Sequence, residues 1–220
     1  TYRPRVSTLV AMVPLALLFL PELGAQNRVT VADGPACPAC NISLQHIVEL
    51  RGPEVEGEPL GIARLPDGRM LVSFFPRGDR VYEFLPNGVA RGLYAEPGEG
   101  PGEVAYVTHI RPLPGDSVLV FEGGNARASV FDPEGRLART FRIPGRVLDS
   151  EVTSRGAFVI NGDIPSVEKL GVPLHVMRPD GSLTASFGEL EGGLWRPDLP
   201  YLSMRRLASD GRSRVWSAMP

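Results

Sequence analysis

Cysteine, histidine and tryptophan are scarce in this chain, with 2, 3 and 2 copies in 220 residues, and each scarcity narrows its chemistry. His46, His109 and His175 lie far apart with no matched third ligand, so their spacing offers no histidine metal site. Neither H-E-x-x-H nor G-x-S-x-G occurs, which removes the signatures of a zinc protease and of a nucleophile elbow. A formal net charge of -2 and a pI near 6.0 carry no basic excess, so nucleic acid and anionic membrane surfaces are not expected partners. No apolar run reaches the roughly 18 to 20 residues that a membrane span needs.

The longest such run, Leu9 to Leu20, contains Pro14, follows Arg3 and Arg5, and precedes Pro21-Glu-Leu-Gly-Ala25. A basic start, an apolar core of about a dozen residues and a small residue at the end form the pattern of a secretory signal. Residues 1–25 are therefore expected to be a signal peptide cleaved after Ala25, leaving no membrane segment and a periplasmic or extracellular product. In that oxidising setting the simplest reading of Cys37-Pro-Ala-Cys40 is a local disulfide. A redox dithiol would need a βαβ context, and zinc would need two more ligands, with His46 the only one nearby.

Gly 25 and Pro 22 are high, and they fall between apolar runs, which indicates many turns in an all-β chain. Asn41 to Leu50 alternates Ile42, Leu44, His46 and Val48 as a half-buried strand would, with His46 packed on the apolar face. The turn Leu85-Pro-Asn-Gly88 returns as Asp132-Pro-Glu-Gly135 and Arg178-Pro-Asp-Gly181, with glycines 47 and 46 residues apart. That period belongs to repeat architectures. Aligned on these glycines, third strands fall at Val81 to Phe84, Ala128 to Phe131 and Leu174 to Met177. Fourth strands fall at Val89 to Tyr94, Leu137 to Phe141 and Leu183 to Phe187. Second strands fall at Met70 to Phe74, Val118 to Phe121, Phe158 to Ile160 and Val215-Trp216. First strands fall near Gly61 to Leu65, Val107 to Leu113, Asp149 to Thr153 and Leu202 to Ala208.

A four-stranded antiparallel unit cannot cover both of its faces alone, and ring closure covers them while leaving short edges. The expected fold is a β-propeller. Residues 26–54 form an N-terminal segment with the cysteine pair and a strand, Ile42 to Val48, that closes the ring. Residues 55–220 supply about three and a half blades of a longer protein.

The linker Gly98-Glu-Gly-Pro-Gly-Glu103, the run Val118 to Phe121 with Gly123-Gly-Asn-Ala-Arg127, and Val130-Phe-Asp-Pro-Glu-Gly135 resemble the NHL-type repeat of secreted propellers. The resemblance implies six blades in the full protein, which would then be a monomer. It covers most of residues 55–220; the third repeat departs from it, lacking the Asn and Arg and carrying the insert Asn161 to Pro173. Relatives of this type include interaction modules, lactonase-like hydrolases and lyases, so fold alone does not choose a function.

Gly98-x-Gly-x-Gly102 precedes a strand and has no lysine, so it is expected to link blades rather than to cradle phosphate. Arg80 and Arg127 hold one place in two repeats and are expected to tie blades through a carboxylate or carbonyl. In enzymes of this fold, ligands come from the first strands and the loops at one mouth of the channel, which singles out His109, Arg111, Asp149, Glu151, Asn161, Asp163, Arg205 and Arg206. Of these, Glu151, Asn161 and Asp163 have the oxygens a hard cation takes, and they are the weak metal candidates. The residues thus point to a non-catalytic binding module for a protein, peptide or glycan that needs no cofactor. The alternative is a lactonase-like hydrolase or lyase using Ca2+ or another divalent cation at the channel.

Overall fold

The structure, a computed structural model, describes residues 45–52, 57–143, 145–164, 173–188, 205–210 and 214–218. All lie in one compact unit, Gln45–Pro220. The expected signal peptide with Ala25, the pair Cys37 and Cys40, and Ile42 to Leu44 fall outside the described residues.

Fourteen strands form in chain order among the described residues. The first sheet holds β1 (Glu58–Arg64), β2 (Met70–Phe75), β3 (Val81–Phe84) and β4 (Ala90–Ala95). The second holds β5 (Val107–Pro112), β6 (Val118–Glu122), β7 (Arg127–Phe131) and β8 (Leu137–Arg142). The third holds β9 (Arg146–Val152), β10 (Phe158–Asp163), β11 (Leu174–Met177) and β12 (Leu183–Phe187), and β13 (Arg206–Ser209) pairs with β14 (Val215–Ala218). Neighbouring strands in each sheet run antiparallel in sequence order. The strand order expected from the repeat is the one observed.

The repeated glycines explain the period. Gly88, Gly135 and Gly181 have φ of 83, 81 and 86°, a left-handed conformation that costs a side-chain-bearing residue free energy. Each closes a turn: the amides of Gly88, Gly135 and Gly181 donate to the carbonyls of Leu85, Asp132 and Arg178. Asn87, Asp132 and Asp180 accept from backbone amides within the same turns. A bulge accompanies each turn, between Glu83 and Phe84, Val130 and Phe131, and Val176 and Met177. This is the geometry of a longer hairpin loop whose last residue is left-handed.

The sheets are stacked face to face, which the alternation along β6 shows directly. Val118 and Val120 join a core with Ala63, Leu71 and Val81 of the first sheet. Leu119 and Phe121 point the other way, into a core with Phe158, Ile160 and Met177 of the third. Val118 to Phe121 are therefore all buried, and they read as a continuous apolar run rather than an alternating one. Each such fully buried side chain contributes about 1.5–3 kcal/mol. In the third sheet Val159 meets Leu207 of β13 and Val215 of β14.

Residues 45–50 differ from expectation. They form no strand, and His46 is exposed rather than packed. The segment lays Val48 and Leu50 on the remaining face of the first sheet, against Met70, Val72, Phe74 and Phe84. Arg51 then makes one parallel bridge to Val89, exchanging bonds with Gly88 and Ala90. Apolar contact with a sheet face, rather than pairing along a sheet edge, fixes this stretch. A Cβ on Gly88 would sit 2.0 Å from the Glu49 carbonyl oxygen. Gly88→Ala is expected to destabilise by more than about 1 kcal/mol, because φ and the docked segment both oppose it, and urea melting checks this.

The linker between the first two sheets is held from the second. Arg127 donates to the carbonyls of Glu99, Gly100 and Glu103 and to the Glu122 carboxylate. The Gly100 amide donates to Glu103 Oε2 at 2.8 Å. Arg127 thus does what its repeat position suggested, whereas Arg80 donates from Nε and Nη2 to the carboxylate of the adjacent Asp79.

Candidate functional site

The first strand of each sheet packs on the first strand of the next: β1 on β5, β5 on β9, β9 on β13. Side chains from well-separated stretches of chain consequently meet along this inner row. Asp149, on β9, is its centre. The buried carboxylate accepts from Arg111 Nη2 of β5 at 3.2 Å, from the Ser150 amide at 2.8 Å and from the Leu207 amide of β13 at 3.0 Å. Arg111 Nε also donates to the Ser150 carbonyl at 2.7 Å. One charge-assisted cluster therefore joins three sheets.

His109 stands beside it, with Nε2 3.6 Å from Asp149 Oδ1 and Nδ1 3.1 Å from Thr108 Oγ1. Burial, then the positive charge of Arg111, pull its pKa down to about 4, against the smaller opposing pull of Asp149. The imidazole is neutral at neutral pH. An unfolded chain binds a proton between about pH 6.5 and 4 that the folded chain refuses, so this contribution to stability is complete above 6.5 and is lost on acidification through that window. The expected loss is on the order of 3 kcal/mol. His109→Gln should flatten the pH dependence in that range, measured as the urea midpoint against pH.

Glu151 lies on β9, and Asn161 and Asp163 lie on β10. Glu151 has its carboxyl pushed up by burial, with Arg111 opposing, which disfavours the charged form a cation would take. Asn161 is buried and committed to the chain itself: Nδ2 donates to the Pro173 carbonyl and Oδ1 accepts from the Arg205 amide. Asp163 lies at the end of β10, opposite Arg146 in register. Among the described residues no group of three or more His, Cys, Asp and Glu gathers as a metal centre would require. His175 is buried between Ser186 Oγ and the Gly162 carbonyl, a histidine that braces the third sheet.

Sequence reasoning passed over Glu122. Its carboxylate is fully buried and accepts from Arg127 Nε, Asn125 Nδ2, Ser129 Oγ and the Ala105 amide. The available signal was an acidic residue ending an otherwise apolar strand, next to the repeat Asn and Arg.

Between these clusters opens a cleft of about 690 Å³. Leu60 of the first sheet, Tyr106 and Thr108 beside and on β5, Ile143, and Arg146 and Val147 of β9 face it, together with Arg206 of β13. Its size is that of a small-molecule or peptide-residue site.

No family model and no curated protein matches the chain. Solved structures do. A Bacteroides fragilis protein assigned as exported superposes with a TM-score of 0.55 at 14% identity, over 67% of this chain and 43% of that one. Virginiamycin B lyase from Staphylococcus aureus gives 0.54 at 17% identity, over 77% and 52%. A streptogramin B lyase gives 0.52 at 16% identity, over 77% and 51%. The chain spans about half the length of these structures or less. Together with the stacked four-stranded sheets, the likeness makes the fold a β-propeller, and at such identities it speaks for the fold alone.

Proposed function

We propose that the chain belongs to an exported six-bladed propeller of the NHL type that binds a protein, peptide or glycan at the channel mouth without transforming it. The observation that carries this reading is the commitment of Arg111, Asp149 and Asn161 to structure. Arg111 and Asp149 hold sheets together, Asn161 holds backbone, and the buried His109 is neutral, while an open cleft lies beside them. The signal ending at Ala25, the disulfide Cys37–Cys40 and ring closure by the segment before residue 55 belong to the same proposal.

The fold is shared with lyases, which favours one competing reading, a hydrolase or lyase using Ca2+ or another divalent cation. One experiment separates the two. The immobilised protein is exposed to a periplasmic or secreted extract, and its turnover of esters and lactones is followed with and without divalent cations. Retention of a partner with no turnover is expected; metal-dependent turnover with no partner retained would sink the binding reading.

A further inference from the structure

The charges lining the cleft are unequal in their commitments. Glu122 and Arg127 neutralise each other, and Arg127 is further used by three linker carbonyls. His109 carries no charge at neutral pH. Arg146 and Arg206 remain: both are exposed, both face the cleft, and among the described residues neither forms an ion pair. Among the described lining residues the cleft therefore holds two positive charges in excess.

The position of one of them is fixed by the backbone beneath it. A Cβ on Gly162 would lie 2.2 Å from the Arg146 carbonyl oxygen, so only glycine lets β10 approach that end of β9. The register between β9 and β10 shifts there, between Asn161 and Gly162. Bulges of this kind re-aim a side chain next to functional sites.

Tyr106 is the second unusual feature. It has φ of 50°, an outlier for a bulky side chain, and is 44% exposed. The surroundings impose the strain: the Tyr106 carbonyl accepts from the Gly123 amide at 2.9 Å, and the neighbouring Val107 amide donates to the Gly78 carbonyl at 2.6 Å. A Cβ on Gly123 would press on the Tyr106 ring at 2.9 Å. Strain that the fold maintains in order to hold an aromatic ring half in water is typical of a ligand contact. Leu60, Ile143 and Val147 complete an apolar wall beside it.

Charge complementarity and shape thus specify an occupant with an anionic end and an apolar or aromatic body. We infer that the cleft receives the C-terminal residue of a peptide, its carboxylate between Arg146 and Arg206 and its side chain against Tyr106 and the apolar wall. This rests on the binding-module reading above and narrows it to one ligand chemistry. A guanidinium pair suits a planar carboxylate because its parallel N–H donors match the two oxygens.

The test uses the full chain and fluorescein-labelled Gly-Gly-Leu-Phe, once with a free C-terminal carboxylate and once as the C-terminal amide, read by fluorescence anisotropy. The free acid is expected to bind at least about tenfold more tightly than the amide, since a charge-assisted bond is roughly twice as strong as a neutral one. Arg146→Ala and Arg206→Ala should each weaken the acid about tenfold and leave the amide unchanged, and added salt should have the same selective effect. Both arginines are exposed, so unchanged thermal melting is expected of the variants, and Arg146→Gln serves if Arg146→Ala melts early. Tyr106→Ala should weaken acid and amide alike. Equal binding of acid and amide overturns the inference while leaving a binding module. Binding of neither peptide overturns it too, with retention of a partner from the extract then deciding the module reading separately. A preference for the acid that survives both arginine substitutions also overturns it.

Discussion

Glu122→Ala is expected to lower stability by about 3–5 kcal/mol, the range for removing one partner of a buried ion pair. The carboxylate has no solvent exposure and receives four different donors, while its partner Arg127 is 18% exposed. The guanidinium is left buried without a counter-charge, and the Ser129 hydroxyl and Ala105 amide each lose an acceptor. Against a typical total of 5–15 kcal/mol this is a large share. It corresponds to a fall in urea midpoint of about 2 M for a chain of this size. Glu122→Gln keeps the shape and one acceptor oxygen and should recover part of the loss. The exposed pair of Arg136 with Asp132 supplies the contrast, because Arg136→Ala should leave the midpoint in place. A midpoint for Glu122→Ala within a few tenths of a molar of the parent would mean that the buried pair does not hold the linker.

Asp149→Ala is expected to cost a similar amount, about 3–5 kcal/mol, and to leave a second trace that simple loss of packing would not. Removing this carboxylate strands Arg111 and unties the Leu207 amide, so the second, third and fourth sheets lose their common anchor. The negative charge of Asp149 also raises the His109 pKa against burial and Arg111. Without it the imidazole should titrate lower still, measured by NMR as a displaced His109 chemical-shift titration. Asp149→Asn tests the electrostatic part: it retains an acceptor for the Leu207 amide and should soften the stability loss, yet it should shift His109 as far as alanine does. An unchanged His109 titration in both variants would show that the two side chains do not sense each other.

The strands were legible because they depend on local chemistry. Val81 to Phe84, Leu174 to Met177 and Leu183 to Phe187 were bounded as observed, each lying beside a turn whose glycine and Asx residue have only one good geometry. The stretch around His46 misled for a related reason. Period-two alternation reports that one face meets apolar groups, and residues 45–50 satisfy it by lying on a sheet face without pairing as a strand. Among the site residues, the sequence brought the right types to the inner strands but could not say which would touch. His109, Arg111 and Asp149 do meet; Asn161 is turned to the backbone of Pro173 and Arg205.

The amino-acid sequence by itself determined the all-β class, the four-strand repeat and its turns, because backbone dihedral preference, turn hydrogen bonds and alternation act within a few residues of each other. Tertiary structure alone decided that Glu122 is a buried hub, that Asp149 reaches residues 38 and 58 positions away, and that Arg146 and Arg206 face one cleft. Those relations arise when the sheets stack and bring their first strands side by side. Stacking places charges by distance through space, and sequence spacing carries no record of that distance.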